Sequence, residues 1–509
     1  MTTPSKKIAI FGATGYIGLI LTNRLVAQNI PLKLFVRNPR RLLHLQSNPN
    51  VEICDIPLHV SQERSLENEL YGCTQLYYLI HSMQSDEENF EVSDREIAAL
   101  VSRVAQKASV VQIIYLGALG LETPSHPLSL HLRSRQQTAT ILRSSGVSVS
   151  EIRAGIIIGA GSASFEIMRA LGSKLPFIPR LDANTGQCHP IDVEDVILYL
   201  LDARGNPLYK DEIIEIGMQR SYSYDEMLVL FAQHVFNRPV TIRYVRFLAG
   251  LDLKYVARII AFLSALPYEL TYPLSQGMHS LAIKDKYDAS AKGDIGIHPI
   301  GFIESIKRAS QFELERSVES FWSIPLKLQV LSKEKDIYLY HDRMPPKGFL
   351  YERRIQEVKA VDIDSIFNEV KKIGGKRGYW SPLWMWKTRA FIDKMMGGPG
   401  LNIGRRTDAN KIRVGERIDF WIVTDYFDTT NKKALSLKGR LRSPGDSWLR
   451  FALNPDEKGQ WYFSIRADFQ PSGIFGYLYW YSLFFIHKYI FRTMIDSILE
   501  KSHKNKEKN

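Results

Sequence analysis

The sequence predicts two kinds of fold in one chain: an α/β unit on a doubly wound parallel sheet, then an α+β unit on an antiparallel sheet. Three observations predict them. Up to about residue 235, short β-branched or apolar runs alternate with amphipathic stretches, the pattern of βαβ units with helices on both faces. These runs are apolar on both sides, as strands covered on both faces must be. After Trp322 the apolar residues recur with period two, which describes strands with one wet and one buried face.

In chain order, the predicted strands of the first unit are Ile8–Phe11, Leu32–Val36, Val51–Cys54, Leu76–Ile80, Val110–Leu116, Val149–Ile152 and Ile213–Ile216. Helical patterns lie between them, for example Ile17–Val26 and Asp94–Lys107. Residues 236–310 read as a helical, substrate-side part of the same unit, 1–310. Its longest apolar stretch, Phe247–Leu266, is interrupted by Asp252, Lys254 and Arg258. A buried or pocket-lining helix is therefore expected there rather than a membrane span.

The second unit is expected over 325–500. Its period-two runs are Ile418, Phe420, Ile422; Leu435, Leu437, Leu441; Leu449, Phe451, Leu453; and Trp461, Phe463, Ile465, Ala467, Phe469. DTTNKK, SPGD and NPDEKG form the turns between them. An aromatic segment, Phe475–Ile498, is predicted to be one long helix closing the buried face. Residues 501–509 are a basic, solvated tail.

Composition narrows the function. The 509 residues are 45% hydrophobic and 24% charged, ordinary globular usage that excludes a mainly disordered chain. The net charge of +12 is mild for this length and favours phosphate or anionic lipid over a dedicated nucleic-acid role; no nucleic-acid partner is expected. Cys54, Cys73 and Cys188 are far apart, without metal-ligand spacing. Reduced cytoplasmic thiols are expected, with neither a disulfide framework nor a metal. The N-terminus reads as a strand and turn rather than a signal peptide. A cytoplasmic location is expected, with membrane association as the other reading.

The strongest motif is Lys7-IAIFGATGYIG-Leu19, which places Gly12, Gly15 and Gly18 between an apolar strand and a helix. In that context each glycine does something different. Gly12 permits the tight turn, Gly15 lets the backbone approach a pyrophosphate, and Gly18 lets the helix pack against the sheet. Thr14 lies in this turn, and the N–H groups near Tyr16 and Ile17 sit at the helix start, where dipole and unpaired donors favour an anion. The second strand ends in Leu34-FVRNPRR-Leu42, with Arg37, Arg40 and Arg41 and no acid. NAD sites place an acid there for the ribose 2′-hydroxyl, NADP sites an arginine for the 2′-phosphate. NADP(H) is the expected cofactor, with Arg37 on the phosphate; NAD remains an alternative. Asp55, after the third strand, is a candidate for the adenine edge. His81 and Ser82, at the end of the fourth strand, face the ligand crevice.

GATGYIG at 12–18, YYLIHSM at 77–83, YLGALG at 115–120, HLRSR at 131–135 and HPIDVEDV at 189–196 resemble the atypical branch of the short-chain dehydrogenase/reductase superfamily. That branch includes NmrA-like redox sensors and the NAD(P)-binding accessory subunit of respiratory complex I. The resemblance implies a Rossmann-type fold. GGKRGYW at 374–380, GPGLNIGRR at 398–406 and GYLYWYSLFFIHKYIFR at 476–492 extend it to a bacterial group with a fused C-terminal domain. That domain resembles the helix-grip arrangement of START-like lipid-binding proteins, in which Phe463, Ile465 and Trp480 would line a ligand space or fill a core.

The family's Tyr-x-x-x-Lys pair is replaced here. The matching helix carries His131-LRS-Arg135, and the preceding strand ends at Tyr115. The resemblance implies Arg135 on the ribose and His131 as general acid or base, since imidazole titrates near neutrality; Tyr115 is the third candidate. Arg153-AGIIIGAGSASF-Glu166 supplies small residues where the nicotinamide should pass, and Asp192 and Asp195 read as helix-start caps. The expected function is an NADP(H)-dependent oxidoreductase on an apolar carbonyl or quinone-like compound. A non-catalytic NADP(H) sensor or assembly protein, and a lipid-binding protein using the first domain as scaffold, are the alternatives. For 474–492 a buried closing helix is expected, with peripheral contact at a membrane interface as the other reading.

Overall fold

The structure is a computed structural model that describes residues 7–37, 39–81, 90–120, 128–180, 186–245, 252–264, 271, 272, 275, 294–314, 348–374, 379–382, 384–388, 391, 412–430, 432–439, 443–456 and 458–506. The chain divides into two compact units, Met1–Trp322 and Ser323–Asn509.

The first unit alternates strand and helix. Its main strands are β1 (Lys7–Phe11), β2 (Leu32–Phe35), β3 (Val51–Cys54), β4 (Cys73–Tyr78), β5 (Gln112–Ala118), β6 (Ser148–Ala154) and β7 (Ile213–Ile216). They form one seven-stranded sheet in the order β7-β6-β5-β4-β1-β2-β3, parallel throughout. The order reverses between β1 and β4, which opens a crevice at the carboxyl ends of those strands. Helices α1 (Tyr16–Ala27) and α6 (Val193–Asp202) bury Leu21, Leu25, Val196 and Leu200 with Ile10, Leu34 and Ile114 of the sheet. On the other face α2 (Glu63–Leu70), α3 (Phe90–Lys107) and α4 (Leu130–Arg143) bury Leu66, Val101, Val104 and Leu142 with Phe11, Tyr78 and Ile113. Successive strand residues thus enter opposite cores, which is why central strands such as β1 are apolar on both sides.

Several strand boundaries move by one to three residues, and at β4 and β5 the cause is local. β4 stops at Tyr78 because Leu79 and Ile80 run beside the Gly12 turn, with Leu79 N still donating to Phe11 O at 2.9 Å. β5 begins after Val110, whose N–H instead closes the end of α3 on Ala105 O at 3.0 Å. Further on come α5 (Ala163–Lys174), α7 (Tyr224–Phe236), α8 (Leu253–Ser264) and α9 (Phe302–Leu314). α8 is amphipathic: Ala257 and Ile260 are buried while Tyr255 and Ile259 are exposed.

Asp192 and Asp195 tie α6 to α9. Asp192 accepts from Glu194 N at 2.8 Å, capping α6, and from Ser305 Oγ at 2.6 Å, and it pairs with Arg308. Asp195 Oδ2 accepts from Ile300 N at 3.0 Å. Burial pushes the Asp195 carboxyl up to about 6 from 3.8. Its folded value lies above its unfolded one, so its contribution to stability is full below about pH 4 and lost as the pH rises through about 6. Asp195→Asn keeps an acceptor for Ile300 without the charge. Wild type is expected to lose up to about 2 kcal/mol from this site on going from mild acid to neutral pH, and the variant to lose none of it, as read by denaturant unfolding.

All three cysteines are free and buried. Burial pushes their thiols up, Cys54 and Cys188 to about 12 and Cys73 to about 11, so they are protonated and poor nucleophiles at neutral pH.

The second unit holds β8 (Leu350–Val358), α10 (Ile363–Val370), β9 (Arg417–Ile418), β10 (Trp421–Asp428), β11 (Lys433–Gly439), β12 (Gly445–Pro455), β13 (Trp461–Pro471), α11 (Gly473–Ser482) and α12 (Phe484–Lys506). The strands form a six-stranded antiparallel sheet in the order β8-β13-β12-β11-β10-β9. The predicted run through Ile418, Phe420 and Ile422 is split by a tight turn at Asp419, whose φ is +53°. Leu435, Leu437, Leu449, Phe451, Leu453, Phe463, Ile465 and Phe469 pack beneath apolar side chains of α10 and α12. Phe463, Ile465 and Trp480 belong to this packed core.

Two expectations for this unit are corrected. The second face of the sheet is wet only toward its edge, where Tyr351, Ile355 and Glu357 are exposed: Arg450, Arg466 and Asp468 at its centre are buried, with Asp468 2.6 Å from Arg450 Nε and 3.0 Å from Arg466 Nε. The closing helix is not continuous: it breaks at Leu483 into α11 and α12, and most of α11 is exposed.

Candidate functional site

The glycine turn lies at the reversal of strand order. Gly12 has φ +91°, and a Cβ there would stand 2.7 Å from Leu79 O. A Cβ on Gly18 would stand 2.1 Å from Gly12 O, so only glycine lets α1 start this close to the turn. Gly15 differs. It is exposed, its φ is −71°, and a Cβ would come no nearer than 3.2 Å to Gly12 O. Nothing in the fold demands glycine there, whereas a ligand lying against the backbone would.

Helices α4, α5, α6 and α7 start with a capping side chain, from Ser129, Ser162, Asp192 and Ser223. α1 starts at Gly15 with none. The amides of Tyr16, Ile17 and Gly18 therefore present the positive helix end toward the crevice, beside the partly buried Thr14. Ile17 packs against the core. The Tyr16 hydroxyl donates to Ala160 O at 3.1 Å and fixes the small-residue loop after β6 against the turn. These features fit a dinucleotide: a close backbone turn that side chains would fill, and a helix start with no capping side chain toward its phosphates.

Arg37 is exposed just past β2. Loss of water and the like charge of Arg37 push the Arg41 guanidinium down to about 10. Arg37 and Arg41 are thus near enough to repel one another just past β2. Asp55 is exposed just past β3. Ser82 lies outside the described residues.

At the end of β4 the chain brings together residues far apart in sequence. His81 Nδ1 is 3.2 Å from Asp94 Oδ2, and His81 Nε2 is 2.8 Å from His131 Nδ1. Ser134, one turn beyond His131, donates to the same Asp94 oxygen at 3.1 Å. Burial chiefly holds His131 well below the ordinary imidazole value of 6.5, helped by the positive charges of His81 and Arg135. His81 is lowered as well, first by burial, with Asp94 opposing. With both rings neutral, the acceptor carboxylate orients the chain. His81 Nδ1–H donates to Asp94, and His81 Nε2 accepts from His131 Nδ1–H. This leaves His131 Nε2 with a free lone pair.

Arg135 and Tyr115 are placed differently. The Tyr115 hydroxyl donates to Arg135 O at 3.0 Å within the packing of α4 on β5. The Arg135 guanidinium donates to Leu116 O and lies 5.9 Å from the Tyr115 ring centroid. They support the helix that carries His131, and Arg135 adds positive charge beside it. Asp94 and Ser134 were not singled out by sequence; only Ser134's position three residues after His131, on the same helix face, hinted at its place. Among the described residues no group of three or more His, Cys, Asp or Glu is arranged to hold a metal.

Residues 12–203 match a family described as NAD(P)H-binding. Residues 349–494 match a family described as a protein of unknown function, DUF2867. No curated protein matches the chain. Among solved structures, the NADPH-dependent quinone oxidoreductase of Escherichia coli, complexed with NADPH, is 19% identical over 59% of this chain and 98% of its own, with a TM-score of 0.47. The triphenylmethane reductase of Citrobacter sp., complexed with NADP(H), is 17% identical over 60% and 99%, with a TM-score of 0.45. UDP-glucose 4-epimerase of Thermotoga maritima, with UDP-glucose, is 15% identical over 61% and 99%, with a TM-score of 0.43. The matched family and the glycine turn at the reversal of a seven-stranded parallel sheet together make the N-terminal unit an NAD(P)-binding Rossmann domain.

Proposed function

We propose that the protein is an NADP(H)-dependent oxidoreductase acting on an apolar carbonyl or quinone-like compound, with His131 as its acid–base residue. The observation that carries this reading is the buried Asp94–His81–His131 chain at the ligand end of β4. When bound, the reduced nicotinamide supplies a hydride to the substrate carbon. What remains for His131 is to move a proton at the substrate oxygen through Nε2. In the oxidative direction neutral His131 takes the hydroxyl proton, and its Nδ1–H lets His81 and Asp94 share the resulting charge. In the reductive direction Nε2, neutral at rest, first takes a proton from solvent and then passes it to the substrate oxygen.

The direct test is loss of nicotinamide absorbance when the full-length protein is mixed with NADPH and a panel of quinones and aldehydes. Turnover with at least one supports the reading. Tight NADPH binding with no turnover across the panel favours a sensor.

The Arg37 and Arg41 pair supports NADPH over NADH. Arg37→Ala is expected to weaken NADPH binding about tenfold or more, the range of a charge-assisted hydrogen bond, and to leave NADH binding unchanged. Paired calorimetric titrations check it; equal weakening of both cofactors contradicts the assignment.

A further inference from the structure

We propose that α11 (Gly473–Ser482) is a docking surface for an anionic lipid bilayer, lying in the interface rather than crossing it. The inference is independent of the proposed catalysis. One side of α11 is fixed to its own unit. Gly476 sits so close that a Cβ would stand 2.5 Å from Pro444 O, and Trp480 stacks on Phe469 with ring centroids 5.5 Å apart. The other side carries Ile474, Phe475, Leu478 and Tyr481, which are 74%, 75%, 62% and 61% exposed. Four large apolar side chains at helical spacing on one outward face are not scattered surface residues; such a patch marks a site of association.

Two features commit the patch to lipid. From Gly473 to Ile495 the formal charges are Lys488 and Arg492, and the first acid, the exposed Asp496, stands one turn beyond Arg492. Lys488 and Arg492 are exposed at the start of α12, where headgroup phosphates would meet them. The face is also aromatic, and tyrosine favours the headgroup boundary, with its ring in acyl chains and its hydroxyl in water. Among the described residues no helix is long and apolar enough to cross a membrane, so the segment would lie flat.

The test is co-sedimentation of the full-length protein with vesicles of phosphatidylcholine, or of phosphatidylcholine mixed with phosphatidylglycerol. Wild type is expected to sediment with the mixed vesicles, less with the neutral ones, and less as salt is added. The double variants Phe475→Ser/Leu478→Ser and Lys488→Glu/Arg492→Glu are each expected to bind about tenfold or more weakly. NADPH binding and circular dichroism should match wild type and show that the variants are folded. No sedimentation with either vesicle overturns the proposal, as do variants that sediment like wild type. Overturning also follows if the apolar variant changes the oligomeric state by light scattering while wild type ignores vesicles, which would make the patch a self-association surface.

Discussion

His131→Ala is expected to lower turnover by about two to four orders of magnitude, the range of a lost general acid–base group, while NADPH affinity stays near wild type. The split follows from placement. His131 is on α4, bonded to His81 and through it to Asp94, whereas the phosphate turn and Arg37 belong to the ends of β1 and β2. The same geometry sets a pH profile. Because burial and nearby positive charge hold His131 well below 6.5, the base form dominates throughout the neutral range. Oxidative turnover should therefore be flat from about pH 6.5 upward and fall only on the acid side. In His131→Ala the acid limb assigned to this group should vanish. Full activity in the variant would remove His131 from the chemistry without touching the cofactor assignment.

The second large effect concerns two neighbouring glycines that should fail in opposite ways. Gly18→Ala sets a methyl 2.1 Å from Gly12 O, so α1 must move off the turn. A loss of about 1–3 kcal/mol in stability is expected, the usual cost of overpacking, with loss of NADPH binding. Gly15→Ala meets nothing nearer than 3.2 Å and needs no unusual φ. Its melting temperature should hardly change, yet NADPH affinity should fall by about tenfold or more, because the methyl projects where the pyrophosphate must lie against the backbone. A Gly15→Ala protein that binds normally would mean that the turn is only architectural.

How much of this was legible in the sequence depended on whether a feature is local. The parallel strands were legible because burial on both faces leaves an unbroken apolar run, as in Ile8–Phe11. The turn was legible because Gly12 and Gly18 occupy fixed offsets from a strand and a helix. The Asp94–His81–His131 chain was not, since its members are 13 and 50 residues apart. His81 was readable as a crevice residue, Asp94 only as the start of a helical pattern. Period-two alternation also misled at Arg450, Arg466 and Asp468. A polar side chain buried with an ionic partner looks the same in sequence as one facing water. The break at Leu483 was hidden for a related reason. An aromatic run continuing through Ser482 carries no proline or glycine at the break, and the exposure of α11 follows from where Gly476 and Trp480 dock, not from the pattern of the run.

The most direct measurement is calorimetric titration of NADPH and NADH into the folded, full-length protein. Saturable binding of both at one site in the first unit is expected, with NADPH the tighter. Absence of heat and of competition from either nucleotide would contradict it.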